Sequence, residues 1–246
     1  MALADEIADW IATQARDAGR SGAVVGLSGG IDSAVVSGLC VRALGRDNVL
    51  GVIMPCHSNP RDADDAALAA RAWGLTPEIY DLSPLYDAYR QLLPVGSELA
   101  NANLKPRLRM LALYQRANTV GRMVVGTGNK SELLVGYYTK YGDGGVDLLP
   151  IAGLYKHQVR DLARDIGVPD SIIQRAPSAG LWEGQTDEDE MGMSYAQLDA
   201  ALAAIERGST HGIDPTVLER VQRMHASSEH KRHLPPICAP ASLAGT

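Results

Sequence analysis

Ser28-Gly29-Gly30-Ile31-Asp32-Ser33 follows the apolar run Val24 to Leu27 and opens a stretch in which Val36, Leu39, Cys40, Ala43 and Leu44 return at helical spacing. The order is strand, tight loop, helix start. At such a junction two glycines let backbone N–H groups approach an anion, two serines add hydroxyl donors, and the helix presents its unpaired N–H groups and positive dipole end. A phosphate site is the natural product of that geometry. Asp32 is the odd member, since a carboxylate beside phosphates makes sense chiefly with a divalent cation between them. A plain Gly-Ser turn would require neither Asp32 nor both serines.

The chain contains no Gly-Lys pair, which a Walker A loop needs, so the common P-loop is excluded. The Ser-Gly-Gly-x-Asp-Ser pattern instead resembles the PP-loop of the N-type ATP pyrophosphatases, whose loop holds the pyrophosphate released on adenylation.

The alternation after the loop is β-α-β-α-β. Val49 to Met54 reads as a buried strand, Asp62 to Trp73 as an Ala-rich helix stopped by Gly74, and Glu78 to Leu82 as a short strand between Pro77 and Pro84. Helical connections of this length imply parallel strands, with ligands at the strands' carboxyl ends. Asn103 to Ala117 reads as a longer helix with Leu104, Leu108, Leu111 and Ala112 on one side, and Met123 to Gly126 as another strand. That strand runs into Thr127-Gly128-Asn129-Lys130-Ser131-Glu132, a second loop at a strand end. Gly126-x-Gly128 invites a dinucleotide-fingerprint reading, but Ser131 stands where the third glycine belongs.

Tyr141 to Asp147 is too rich in glycine for a regular element and precedes the apolar run Leu148 to Ile151. A helix follows from Leu154 to Ile166, stopped by Gly167. Gln174 to Met193 is polar and turn-rich and reads as a mobile flap. Two helices close the pattern, Tyr195 to Arg207 and one starting at Asp214 with Pro215 first. At the other end, Leu3, Ile7, Trp10 and Ile11 fall on a helical face.

With 246 residues, the chain suits one α/β domain, and 46% hydrophobic against 21% charged residues is ordinary for a globular protein. Phe is absent, so aliphatic side chains must fill the core. A net charge of −6 argues against a nucleic-acid-binding surface. The acidic start is unlike a signal peptide, no run approaches the ~20 apolar residues of a membrane span, and the three cysteines form no metal or disulfide pattern. The expectation is a cytoplasmic protein, bound to neither membrane nor nucleic acid, with Cys40 buried.

Four segments, in order, agree with one family. Gly26 to Ser33, Gly126 to Glu132, Tyr138-Thr-Lys-Tyr-Gly-Asp-Gly-Gly-Val-Asp147 and Arg175-Ala-Pro-Ser-Ala-Gly-Leu-Trp182 resemble ammonia-dependent NAD synthetases, and Glu229-His-Lys-Arg232 is a fifth, weaker match. The Lys-Tyr-Gly-Asp-Gly-Gly stretch is the most particular. The resemblance implies a parallel sheet flanked by helices in the adenine nucleotide alpha-hydrolase-like (PP-loop) fold, as one domain over residues 1–246 with no upstream glutaminase domain. It also implies a ligase that adenylates the carboxylate of deamido-NAD with ATP, releases pyrophosphate, and aminates the adenylate with ammonia to give NAD and AMP. A homodimer with its substrate site at the interface is implied too, built partly from the Asn103 to Ala117 region. Nitrogen would then arrive as free ammonia or from a separate glutaminase partner.

Carried over residue by residue, the resemblance assigns ATP to Gly26, Leu27, Ser28, Gly29, Gly30, Ile31, Asp32 and Ser33, with Thr127, Lys156 and Ser178. Asp32 and Glu132 would be the ligands of Mg2+. Arg107, Lys140, Asp147, His230 and Lys231 would bind deamido-NAD, with Arg109 the nearest alternative to Arg107. Lys156 would be catalytic, and Asp147 would help to deprotonate incoming ammonium. Taken singly, each charged residue here also reads as an ordinary surface charge, and Glu132 as a first-turn helix acid. The rival enzyme class is a sulfur-inserting or guanosine monophosphate synthetase-like PP-loop enzyme, and a rival outside enzymes is a nucleotide sensor.

Overall fold

The computed structural model describes residues 2–178, 180, 182 and 184–238. Strands β1 (Ala23–Gly26), β2 (Val49–Ile53), β3 (Glu78–Ile79) and β4 (Met123–Val125) form one parallel sheet in the order β3-β2-β1-β4. The sheet expected from the alternation is present. Leu148 adds a parallel bridge beside Val125, so the apolar run after the glycine-rich loop lies along the β4 edge.

Parallel sheets are covered on both faces, and here the covering follows side-chain alternation along β1. Val25 packs into a core shared with α1 (Leu3–Asp17), α2 (Ile31–Leu44) and α3 (Pro60–Ala72). Its neighbour Val24 points the other way, into a cluster shared with α4 (Ser83–Leu92) and α5 (Glu98–Val120). Both valines are fully buried, which contributes roughly 1.5–3 kcal/mol each. After α6 (Lys130–Val135) come α7 (Lys156–Ile166), which joins the first core, and α8 (Asp170–Ile173). Then α9 (Asp187–Met191), α10 (Tyr195–Glu206) and α11 (Pro215–Ser227) build a third cluster with Val135 and Tyr155.

Several expectations are corrected. Helix α5 begins at Glu98, where Ser97 accepts a hydrogen bond from the Ala100 N–H, and it carries Pro106 in its interior. Leu111 lies on the outer side of that helix and is exposed, as are Leu3 and Trp10 on α1. Helix α4 was not expected at all, since Pro84 reads as a boundary although it fits a helix's first turn. The Gln174 to Met193 stretch is anchored at its far end, because Asp187, Met191 and Met193 are buried. Cys40 is buried as expected.

Candidate active site

At the carboxyl end of the sheet a cavity of about 510 Å3 opens beside the Ser28 loop. Leu27 still belongs to the sheet, its N–H donating to the Val52 carbonyl at 2.8 Å, and the chain then turns through Gly29 at φ +82°. A β-carbon on Gly29 would sit 2.4 Å from the Asp62 carbonyl oxygen, so backbone conformation and close approach both demand glycine. Gly30 is the helix N-cap and brings no side chain to the N-terminus of α2. Gly30 and Ile31, at that N-terminus, line the cavity.

The two serines do different work from that expected. Ser33 is buried; its hydroxyl donates to the Gly30 carbonyl at 2.9 Å, accepts from the Ser28 N–H at 3.2 Å, and lies 3.1 Å from Ser28 Oγ. It holds the loop in shape rather than facing the cavity. Ser28 lines the cavity with Gly26, Leu27, Gly30, Ile31 and Thr127, and Ser178 reaches it from the far wall.

Asp32 and Glu132 converge, as their assignment to one cation requires. Lys156 Nζ stands between them, 2.6 Å from Asp32 Oδ2 and 3.1 Å from Glu132 Oε1. The remaining carboxylate oxygens are held by Asn129, whose side-chain amide donates to Asp32 Oδ1 at 3.0 Å and whose backbone N–H donates to Glu132 Oε2 at 3.3 Å. Asn129 is also the N-cap of α6 and accepts from the Glu132 N–H at 3.0 Å, completing a capping box. Lys156 is fixed from its backbone: its N–H donates to Ser131 Oγ at 2.9 Å, and Ser131 donates to the buried Asp199 at 2.5 Å. Tyr195 completes the floor of this acid–lysine cluster, its hydroxyl 3.2 Å from Glu132 Oε1 and 2.9 Å from Asp187 Oδ2; the cluster sits beside the Ser28 loop, and none of Asp32, Glu132, Lys156, Asn129, Tyr195 and Asp187 lines the cavity itself.

The electrostatics follow from burial and charge together. Desolvation opposes the Lys156 ammonium, but the Asp32 and Glu132 carboxylates more than offset it and hold its pKa above the ordinary lysine range. Burial acts the other way on Glu132 and, with the Asp32 and Asp187 charges nearby, raises its pKa against the pull of Lys156. Two converging carboxylates are hard oxygen donors, which suits Mg2+, an ion commonly held by one or two carboxylates plus substrate phosphates and water. Among the described residues, no group of three or more His, Cys, Asp or Glu is arranged to hold a metal.

The residues assigned to the second substrate are divided. Lys231 lines the cavity, its Nζ donating to the Gly136 and Tyr138 carbonyls at 2.7 Å each. Arg107, Lys140 and His230 form a chain on the outer rim, with Arg107 Nη2 donating to the Lys140 carbonyl at 3.3 Å and Lys140 Nζ donating to the His230 carbonyl at 2.5 Å. Asp147 is elsewhere: it accepts from the Tyr114 hydroxyl at 2.9 Å and from the Val124 N–H at 2.8 Å, and does not line the cavity. Both oxygens tie a loop to the sheet within the single chain. Arg109 does line the cavity, held by the Met54 carbonyl at 3.1 Å and Ser58 Oγ at 3.2 Å.

Sequence reasoning missed Asn129, Tyr195 and Asp187 as members of the floor. The Asn-x-x-Glu spacing of a capping box could have revealed the first. For the other two no local signal exists, because α9 and α10 reach the floor only through packing of the third cluster.

The NAD synthase family profile matches residues 3–235. An NH(3)-dependent NAD(+) synthetase of Archaeoglobus fulgidus is 48% identical over 237 residues, covering 96% of this chain and 95% of that one. Among solved structures, an NMN synthetase from Francisella tularensis superposes with a TM-score of 0.88 at 35% identity, covering 97% of each chain. An NH3-dependent NAD synthetase from Campylobacter jejuni gives 0.84 at 29%, covering 96% of this chain and 97% of that one. With a profile match over nearly the whole chain and the expected acids converging beside the expected loop, the chain belongs to the NAD synthase family.

Proposed function

We propose that the cavity joins ATP to deamido-NAD through the nicotinate carboxylate and then replaces AMP with ammonia, giving NAD, AMP and pyrophosphate. A carboxylate is a poor electrophile, and the first step must bring it in line with the α-phosphorus of ATP, anion against anion. Most of the protein's contribution is therefore positioning and charge stabilisation. The loop N–H groups and the N-terminus of α2 bind the departing pyrophosphate, and Thr127 and Ser178 bracket ATP from opposite walls. Lys156 donates to phosphate oxygens as negative charge builds on the leaving group. Mg2+ held by Asp32 and Glu132 would supply charge neutralisation between the phosphates. Ammonia then attacks the acyl carbon, and AMP leaves with the bridging oxygen.

The observation that carries this reading is the convergence of Asp32, Glu132 and Lys156 beside the open N-terminus of α2. A sensor without turnover has no need for two acids and a lysine at a phosphate loop. The outer rim of Arg107, Lys140 and His230 is completed by a second copy of the chain. Apolar side chains at the α4–α5 turn support this, with Leu92 81% and Val95 101% exposed; Leu99 is exposed there and also lines the cavity. Light scattering that gives a monomer at assay concentration would remove the dimer from the account. We place the reaction in the cytoplasm, where the free cysteines Cys40, Cys56 and Cys238 suit a reducing compartment. Among the described residues, no helix is long and apolar enough to cross a membrane.

A second acceptor is raised by the likeness to the NMN synthetase, whose acid counterpart would be a mononucleotide. Incubation with MgATP, ammonium and either deamido-NAD or nicotinic acid mononucleotide separates the cases. AMP formed with deamido-NAD supports the reading, AMP formed only with the mononucleotide transfers the activity to the shorter substrate, and ADP or no cleavage overturns the ligase.

A further inference from the structure

Resting on the reading above, which places a divalent cation at Asp32 and Glu132, we propose that the Lys156 ammonium is a built-in stand-in for that cation. The metal is then admitted only together with nucleotide, as Lys156 withdraws toward the phosphates. Lys156 is 1% exposed, and its Nζ lies within hydrogen-bonding distance of one oxygen from each carboxylate. One cation thus holds together two acids that would otherwise repel each other in a poorly hydrated floor. A magnesium ion requires oxygens at about 2.0–2.1 Å in near-octahedral array. The ammonium and a metal contacting both carboxylates therefore cannot share the space between them.

The surroundings identify which member moves. Asp32 and Glu132 each keep a second oxygen on Asn129, a buried residue fixed as the cap of α6. Both acids remain in place if the lysine leaves. The Lys156 side chain is held only by the two acids and the Tyr195 ring among the described residues, so its four-carbon stem can swing while the helix start stays on Ser131. The Tyr195 ring, with its centroid 4.8 Å from Nζ, gives the ammonium a second favourable contact while no nucleotide is present. An incoming triphosphate supplies the anions that draw the ammonium away and brings the metal that takes its place. Free metal without nucleotide meets an occupied site.

Mn2+ is the probe, with its free fraction read by electron paramagnetic resonance during titration of nucleotide-free protein. Lys156→Met should bind Mn2+ at least about tenfold more tightly than the unaltered protein, and adding Glu132→Gln to it should abolish the gain. Equal binding by the unaltered protein and Lys156→Met overturns the proposal. If Lys156→Met fails to fold by circular dichroism, a crystal structure of the unaltered protein with Mn2+ and a non-hydrolysable ATP analogue decides. Anomalous signal between Asp32 and Glu132 with Nζ beyond hydrogen-bonding distance of both supports the exchange; Nζ still bridging them overturns it. The ligase reading fails separately, on the unaltered protein: AMP formed by it while its Mn2+ binding equals that of Lys156→Met sinks the exchange alone, whereas no AMP formed by it while Lys156→Met shows the gain sinks the ligase alone.

Discussion

The two sides of the cavity are built to different degrees of completeness. On the Ser28 side every loop group is already placed by the chain itself: Ser33 locks Ser28 and Gly30, Gly29 fits under Asp62, and Asn129 holds both acids. On the opposite rim, the Arg107 guanidinium and the Lys140 ammonium meet backbone carbonyls, those of Lys140 and His230. The lesson concerns where binding energy is used. Rigid placement serves the reacting phosphates, where a small displacement costs rate, while the rim serves recognition of a long substrate and awaits a second surface.

That contrast can be broken most forcefully at Asp32. Asp32→Asn should lower the rate of pyrophosphate release by about a thousandfold while leaving the circular dichroism spectrum unchanged, because Glu132 still pairs with Lys156. A near-normal rate would show that the acids on the rigid side are structural only. Next in size is Gly29→Ala, which forces a β-carbon against the Asp62 carbonyl at positive φ. It should cost about 1–3 kcal/mol of stability and weaken ATP binding measured by calorimetry.

The rim should respond differently. Lys140→Ala is expected to raise KM for deamido-NAD roughly tenfold with kcat and thermal midpoint little changed, since among the described residues its ammonium meets only the His230 carbonyl and the Tyr141 ring. A fall in kcat with KM unaltered would mean that this rim also shapes the reacting centre. The smallest effect is expected far from both sides, at Glu78. Hydrogen bonds from Arg116 and Tyr80 lower its pKa to about 2. Its contribution to stability is therefore present above the usual carboxylate range, near pH 4.5, and is lost as pH falls toward 2. Thermal melts should show Glu78→Gln a degree or so below the unaltered protein at pH 7, on the order of a surface pair, and the gap should close in acid.

How much of this was legible in the sequence depended on range. The phosphate loop, its strand and its helix are consecutive in the chain, so Ser28 to Ser33 could be read directly, and Gly45 and Gly167 marked helix ends where the structure has them. Pairing of Asp32 with Glu132 needed the family resemblance, because a parallel sheet brings together strand ends that are distant in sequence. Tyr195 and Asp187 were beyond either route: a buried tyrosine opening a helix looks like core until its hydroxyl is seen beside Glu132. Ser33 was read as a phosphate donor because a serine at a loop end can face either way. Leu111 escapes the sequence reading because the outer side of α5 carries apolar residues that the single chain does not bury.

The central claim is that the substrate carboxylate attacks the α-phosphorus of ATP at the Ser28 loop. Deamido-NAD labelled with oxygen-18 in its carboxylate, turned over with MgATP and ammonium, tests it by mass spectrometry of the released nucleotide. One labelled oxygen should appear in the AMP phosphate; label found in pyrophosphate or orthophosphate, with AMP unlabelled, would contradict the account.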